Sequence, residues 1–191
     1  MGSSPSDKHG GRRLGSVEKR LRPLKEKTIP LKPIGFVRSP QKEGTVKDRS
    51  LTSEIVLEKT YSAGLEGLEG FSHLYVIYWL HKIREAPKLK VHPWGSREMP
   101  LLGVFATRSP SRPNPLGLTL VELLEREDCV LKVRGLDALD GSPVLDLKPF
   151  DFSDVDEYRK VRVPGWWVKA KPEKWKKWKK LVGGSRTHPP L

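Results

Sequence analysis

From Pro33 to Pro149 the chain is a succession of short strand-like runs parted by turn residues, with few helical periods between them. That spacing constrains the fold more than any other feature. "PIGFVRS" (Pro33–Ser39) opens the series and "SEIVLEK" (Ser53–Lys59) follows a polar loop. "HLYVIYWLH" (His73–His81) is continuous and rich in aromatics, which suits a strand buried on both faces. "LLGVFATR" (Leu101–Arg108) reads as another strand, and "LTLVELLERE" and "CVLKVRGL" form a hairpin about Asp128. "LDALDGSPVLDLKP" (Leu136–Pro149) places Asp140-Gly141, a strong turn signal, between strand-like arms. "YSAGLEGLEGFS" predicts a short helix weakened by its glycines. Many short strands at this spacing predict a mainly β chain, a single-sheet, antiparallel-rich β-barrel with short helices and basic terminal extensions.

The extensions follow from where the charge lies. Of a net +13, residues 1–32 supply +6 and residues 168–191 supply +7, so the stretch between them is neutral. Three segments result: a basic, flexible arm over 1–31, a barrel over 32–165, and a partly helical Lys/Trp-rich tail over 166–191. Basic ends suit an anionic polymer or surface, although they also serve solubility alone. In the tail, "KPEKWKKWKKLV" spaces Trp175, Trp178 and Leu181/Val182 along one helical face, with lysine elsewhere. Either the tryptophans dock the helix on the barrel, or the helix meets RNA or a membrane surface, with Lys176 and Lys177 as candidate RNA contacts.

Several classes are excluded. Gly64, Gly67 and Gly70 do not follow a strand and make no dinucleotide fingerprint, and no P-loop is present. The single Cys129 cannot form an internal disulfide and fits a reducing cytoplasm. The five histidines show no metal-ligand spacing, so no metal is expected. The longest apolar run, "LYVIYWL", is too short to span a bilayer, and the N-terminus has no signal-peptide core. The expectation is a soluble intracellular protein without a membrane partner.

The chemistry gathers in "FATRSPSRPNPLGLTLVEL" (Phe105–Leu123). Proline lowers the entropy cost of holding Arg108, Arg112 and Asn114 in place, and arginine forks carboxylate or phosphate with paired hydrogen bonds. The two arginines mark either an anion site or a rigid loop paired to local carboxylates. Asp137, Asp140 and Asp146 offer complementary carboxylates for hydroxyl or amino groups. Asp140 also suits a purely turn-shaping role.

Taken in order, "FSHLYVIYWLH", "GVFATRSPSRPNPLGLTLVEL" and "LDALDGSPVLDLKPF" resemble the TsaA-like (TrmO-type) tRNA methyltransferase family over roughly Leu31 to Phe152. The resemblance implies a homodimeric β-barrel enzyme that binds S-adenosyl-L-methionine. The implied reaction is N6-methylation of N6-threonylcarbamoyladenosine beside the anticodon of tRNA. By position, the family's cofactor contacts fall on His81, Lys82, Arg108, Leu118, Asp140, Gly141, Ser142 and Pro143. Arg112 and Asn114 join Lys176 and Lys177 as candidate RNA contacts, and Asp140 and Asp146 are the candidate proton acceptors. Members often carry His-Gln where this chain has His81-Lys82. The loop "QKEGTVKDRS" is shorter and lacks the Pro-Arg-Gln that many members carry, so the resemblance places no cofactor contact in it. The rival readings are a non-catalytic RNA-binding barrel and a methyltransferase of the same fold with another acceptor.

Overall fold

The computed structural model describes residues 28–44, 48–155 and 161–181. The chain divides into two units, Met1–Leu31 and Lys32–Leu191. Of the first, only residues 28–31 are described, so the expected flexible arm lies outside the described residues, as does Val182.

The second unit is built on β1 (Gly35–Arg38), β2 (Thr52–Leu57), β3 (His73–Trp79), β6 (Leu116–Glu127), β7 (Val130–Arg134) and β8 (Pro143–Pro149). These six close into an antiparallel barrel in the order β1-β2-β7-β6-β3-β8. Two short strands, β4 (Lys90–Val91) and β5 (Leu102–Gly103), pair with each other in a separate excursion between β3 and β6. Two helices follow the barrel, α1 (Gly165–Ala170) and α2 (Pro172–Leu181).

Alternation along each strand decides what fills the barrel. Val37 of β1 pairs with Ile55 of β2, which pairs in turn with Leu131 of β7, and all three are fully buried. Across the barrel, β3 contributes Leu74, Val76 and Tyr78, with Val121 of β6 and Val144 of β8 beside them. Burying each aliphatic side chain is worth about 1.5–3 kcal/mol, so this ring is the main source of stability. Closure requires curvature, and two bulges supply it. Pairing shifts between Leu123 and Glu125 of β6, and between Ile77 and Tyr78 where β3 meets β8.

Among the described residues, Tyr78 is the one large aromatic in the buried core. Its ring lies over Gly117, the residue opposite it on β6, and an added Cβ at Gly117 falls 2.3–2.8 Å from three ring carbons. The hydroxyl donates to the Asp137 carbonyl and lies 3.2 Å from Thr119 Oγ1, so the buried phenol is satisfied. Burial pushes its pKa above the ordinary tyrosine value.

Two local expectations are corrected. β3 is buried on one face only: Leu74, Val76 and Tyr78 point inward, whereas His73, Tyr75, Ile77 and Trp79 alternate with them on the outer wall. "LLGVFATR" is a strand only at Leu102–Gly103 and then a single 3-10 turn, Val104–Ala106. The carbonyls of Val104 and Thr107 accept hydrogen bonds from the Arg112 guanidinium instead of from a neighbouring strand. The glycine-rich stretch does form short helix, as two 3-10 turns, Lys59–Leu65 and Leu68–Gly70.

Candidate functional site at the barrel rim

Four connections meet at one rim: the exits of β1 and β3 and the entrances of β6 and β8. Register dictates this, because Phe36 pairs with Pro143, Tyr78 with Val144, and Trp79 with Leu116.

The turn Leu139–Ser142 organises the rim. The Ser142 N–H donates to the Leu139 carbonyl at 3.1 Å, and Gly141 occupies a left-handed conformation at φ 75°. Only glycine takes that conformation without strain, which is the physical reason for the Asp-Gly pair. The turn is stitched to β1 on both sides: Gly141 N–H donates to the Val37 carbonyl and Val37 N–H donates to the Ser142 carbonyl, at 2.8 and 2.9 Å.

Asp140 extends the stitching. Its Oδ1 accepts from the Ser39 N–H at 2.9 Å, and its own N–H donates to the Gln41 carbonyl at 2.8 Å. This reciprocal pair holds the loop after β1 against a turn 101 residues further along the chain. Ser39 and Gln41 are thus site residues that the sequence reading missed. Nothing local marks them, because their partner is remote.

His81 stands just past β3, with Nδ1 3.2 Å from the hydroxyl of Ser142, a side chain only 2 % exposed. A Cβ at Gly141 would sit 3.9 Å from His81 Nε2, so the imidazole lies directly against the turn. Burial, reinforced by the Lys82 ammonium, holds the His81 pKa below the ordinary imidazole value, against an opposing pull from Asp140. The shift favours the neutral ring, with Nδ1 beside the Ser142 hydroxyl.

The proline loop divides its labour. Arg112 is spent on the loop itself: Nε donates to the Ser109 carbonyl at 2.8 Å and an Nη donates to the Thr107 carbonyl at 2.7 Å. It is the pin that lets the loop keep a shape without strand partners. Arg108 and Asn114 are exposed, and the loop is tied to the β4–β5 excursion by Lys88 N–H donating to the Ser111 carbonyl. Leu118 lies on the outer wall, 57 % exposed, opposite Ile77.

The structure thus brings His81, Asp140, Gly141 and Ser142 together, with Lys82 and Pro143 adjoining them in sequence. Asp146 stands apart from them. Its side chain forms a 2.9 Å ion pair with Lys148 and accepts the Leu147 N–H. Lys176 and Lys177 are exposed on α2, and Lys176 pairs with Glu173 at 2.8 Å. Among the described residues no group of three or more His, Cys, Asp or Glu side chains is placed to hold a metal ion. No helix there is long and apolar enough to cross a membrane.

A carboxylate, an imidazole, a bare glycine turn and an exposed arginine loop gather at one rim of the β-barrel, which makes that rim the candidate ligand site. Residues 37–157 match the model of the tRNA-methyltransferase O N-terminal domain, and the chain belongs to that family. A probable S-adenosyl-L-methionine-binding protein of Methanothermobacter thermautotrophicus is 49% identical over 138 residues, 70% of this chain and 97% of that one. The tRNA (adenine(37)-N6)-methyltransferase of Escherichia coli is 37% identical, over 61% of this chain and 55% of its own length. Among solved structures, TrmO from Pseudomonas aeruginosa superposes with a TM-score of 0.58 at 32% identity, over 73% of this chain and 62% of that one. The chain therefore spans little more than half the length of these bacterial relatives.

Proposed function

We propose that the protein transfers a methyl group from S-adenosyl-L-methionine to the N6 nitrogen of an adenosine in tRNA. The observation that carries this reading is the Asp140–Gly141–Ser142 turn with His81 above it, at the positions where the family places cofactor contacts. The donor set fits the cofactor: Asp140 suits ribose hydroxyls or an α-ammonium, and Arg108 suits an α-carboxylate. Gly141 permits close approach to the backbone, and the lowered pKa of His81 favours an uncharged ring beside a sulfonium.

When bound, the cofactor supplies a methyl group that is already electrophilic. The residues of this chain then have two tasks, which are to align the acceptor nitrogen and to receive its proton. Between the two candidate carboxylates, Asp140 is favoured. Its Oδ1 is held by Ser39, which leaves Oδ2 as the atom for a ligand hydroxyl or a departing proton, whereas Asp146 is paired to Lys148. The acceptor we favour is N6-threonylcarbamoyladenosine at position 37, the position in the name of the Escherichia coli relative. A tRNA substrate and one buried free thiol, Cys129, suit the reducing cytoplasm.

The test is mass spectrometry of tRNA nucleosides after incubation with the protein and isotopically labelled S-adenosylmethionine. A labelled N6-methyl on the threonylcarbamoyl nucleoside is expected. Label on a different nucleoside replaces the acceptor, and no label in a protein that still binds tRNA leaves a non-catalytic RNA-binding barrel.

The same reading includes a homodimer. Trp79, Leu116, Leu118 and Leu120 are each 36 % or more exposed, and they form one apolar wall with Tyr75 and Ile77 opposite them in register. Contiguous apolar surface of this kind marks an interaction face. Leu118 belongs both to this wall and to the cofactor set, which puts the site at the edge of the interface. Wild-type protein is expected to sediment as a dimer at micromolar concentration and Leu120→Arg as a monomer. A monomeric wild type removes the dimer.

A further inference from the structure

Helix α2 is a ten-residue segment, "PEKWKKWKKL", carrying Lys174, Lys176, Lys177, Lys179 and Lys180 with Glu173 as its one carboxylate. Two of the five lysines have local explanations. Lys176 pairs with Glu173, and the Lys179 ammonium lies 5.2 Å over the Trp175 ring. Lys174, Lys177 and Lys180 are all exposed and follow one another at intervals of three, so they share a side of the helix. Like charges at that spacing repel. The helix dipole favours Lys180 in the last turn but not Lys174 in the first. A stripe that lowers the stability of its own helix suits a polyanion.

The stripe is held in place from two directions. Trp175 and Trp178 stack with ring centroids 4.9 Å apart and 15° between planes, which stiffens the adjoining face. At its start, the helix pair is moored to the β4–β5 excursion. Trp166 of α1 meets the Trp94 ring edge-on at 6.0 Å, and the Lys171 ammonium sits 4.8 Å over that same ring. Trp94 occupies a left-handed conformation, φ 54°, in the Pro93–Gly95 turn. A bulky residue rarely takes that geometry. The excursion in turn supports the proline loop, since Lys88 N–H donates to the Ser111 carbonyl and Val104 N–H to the Leu89 carbonyl. One connected set of contacts therefore runs from the rim loop to the lysine stripe.

We infer that α2 is a second RNA contact, whose Lys174–Lys177–Lys180 stripe grips the sugar–phosphate backbone of the same tRNA whose adenosine lies at the rim. This rests on the proposed tRNA substrate. Charge complementarity selects the occupant, and Trp166 acts as a positioning residue that moors the stripe to the loop's support.

The experiment uses the full chain and whole tRNA, with binding followed by fluorescence anisotropy at several salt concentrations. In the triple variant Lys174→Ala, Lys177→Ala, Lys180→Ala, alanine preserves helix propensity while three charges are removed. The log–log salt slope should flatten by about 2 to 3 units, at 0.7–0.9 per phosphate contact, with weaker affinity at every salt concentration. S-adenosylmethionine binding by calorimetry should not change. Trp166→Ala keeps every lysine and should weaken tRNA binding with the slope nearly unaltered. Wild-type slope and affinity in the triple variant overturn the inference, whether or not its melting temperature falls. So does binding to anionic lipid vesicles that disappears in that variant while tRNA binding persists. Absence of labelled methyl in tRNA is a separate result, which strikes the catalytic reading and leaves the slope measurement to decide this one.

Discussion

Asp140→Ala is expected to leave a folded barrel that binds S-adenosylmethionine about ten- to a hundredfold more weakly, since a hydrogen bond to a charged group contributes roughly 1.5–3 kcal/mol. The substitution removes the only side-chain acceptor of the Ser39 N–H and frees the loop after β1 from the turn. It also removes the carboxylate itself. Asp140→Asn separates the two effects, because the amide oxygen still accepts from Ser39 while the charge is gone. If the tie matters most, asparagine restores binding; if the charge matters most, both variants fail alike. Calorimetric titration together with a thermal melt reads each outcome, and wild-type affinity in both folded variants would remove the rim site.

The largest effect on stability is expected from Gly117→Ala. The new methyl group would stand 2.3–2.8 Å from carbons of the Tyr78 ring. That ring has little freedom to retreat, being 3 % exposed, with its hydroxyl held by the Asp137 carbonyl and Thr119. Overpacking of this kind costs about 3 kcal/mol. At about 2–4 °C per kcal/mol for a chain of this size, melting should fall by about 6–12 °C. The clash is with one named ring, so the double variant with Tyr78→Ala should be less unstable than the two single losses combined. Strict additivity would show that the ring is not what the methyl meets.

What could be read from the residues alone divides along sequence separation. The Asp-Gly turn and the hairpin at Asp128 are local, and the structure has both, Gly141 at φ 75° and Asp128 at φ 51°. Short strands with turn residues between them sufficed for a closed antiparallel barrel. The reading failed where a segment's partner is not a strand. "LLGVFATR" has strand composition, yet its carbonyls turn to Arg112, and no periodicity registers a guanidinium eight residues away. The aromatic run of β3 looked buried on both faces because its outer wall is largely apolar, although this chain covers that wall only in part. Ser39 and Gln41 were invisible for the opposite reason, since two unremarkable polar residues become part of the site through a distant aspartate. Trp94 and Trp166 likewise meet across a long stretch of sequence.

Barrel closure has a consequence in time. The strands that seal the cylinder are the first and last, Gly35 pairing with Val144, and the rim turn is stitched to β1 by the same seam. Contacts so remote along the chain form late and slowly, since loop-closure entropy must be met before they return any energy. A ribosome must therefore release nearly the whole barrel before His81, Ser142 and Asp140 can share a surface with Ser39. No partly made chain assembles the proposed site, so a nascent or truncated product would have no half-formed rim with which to sequester ligand.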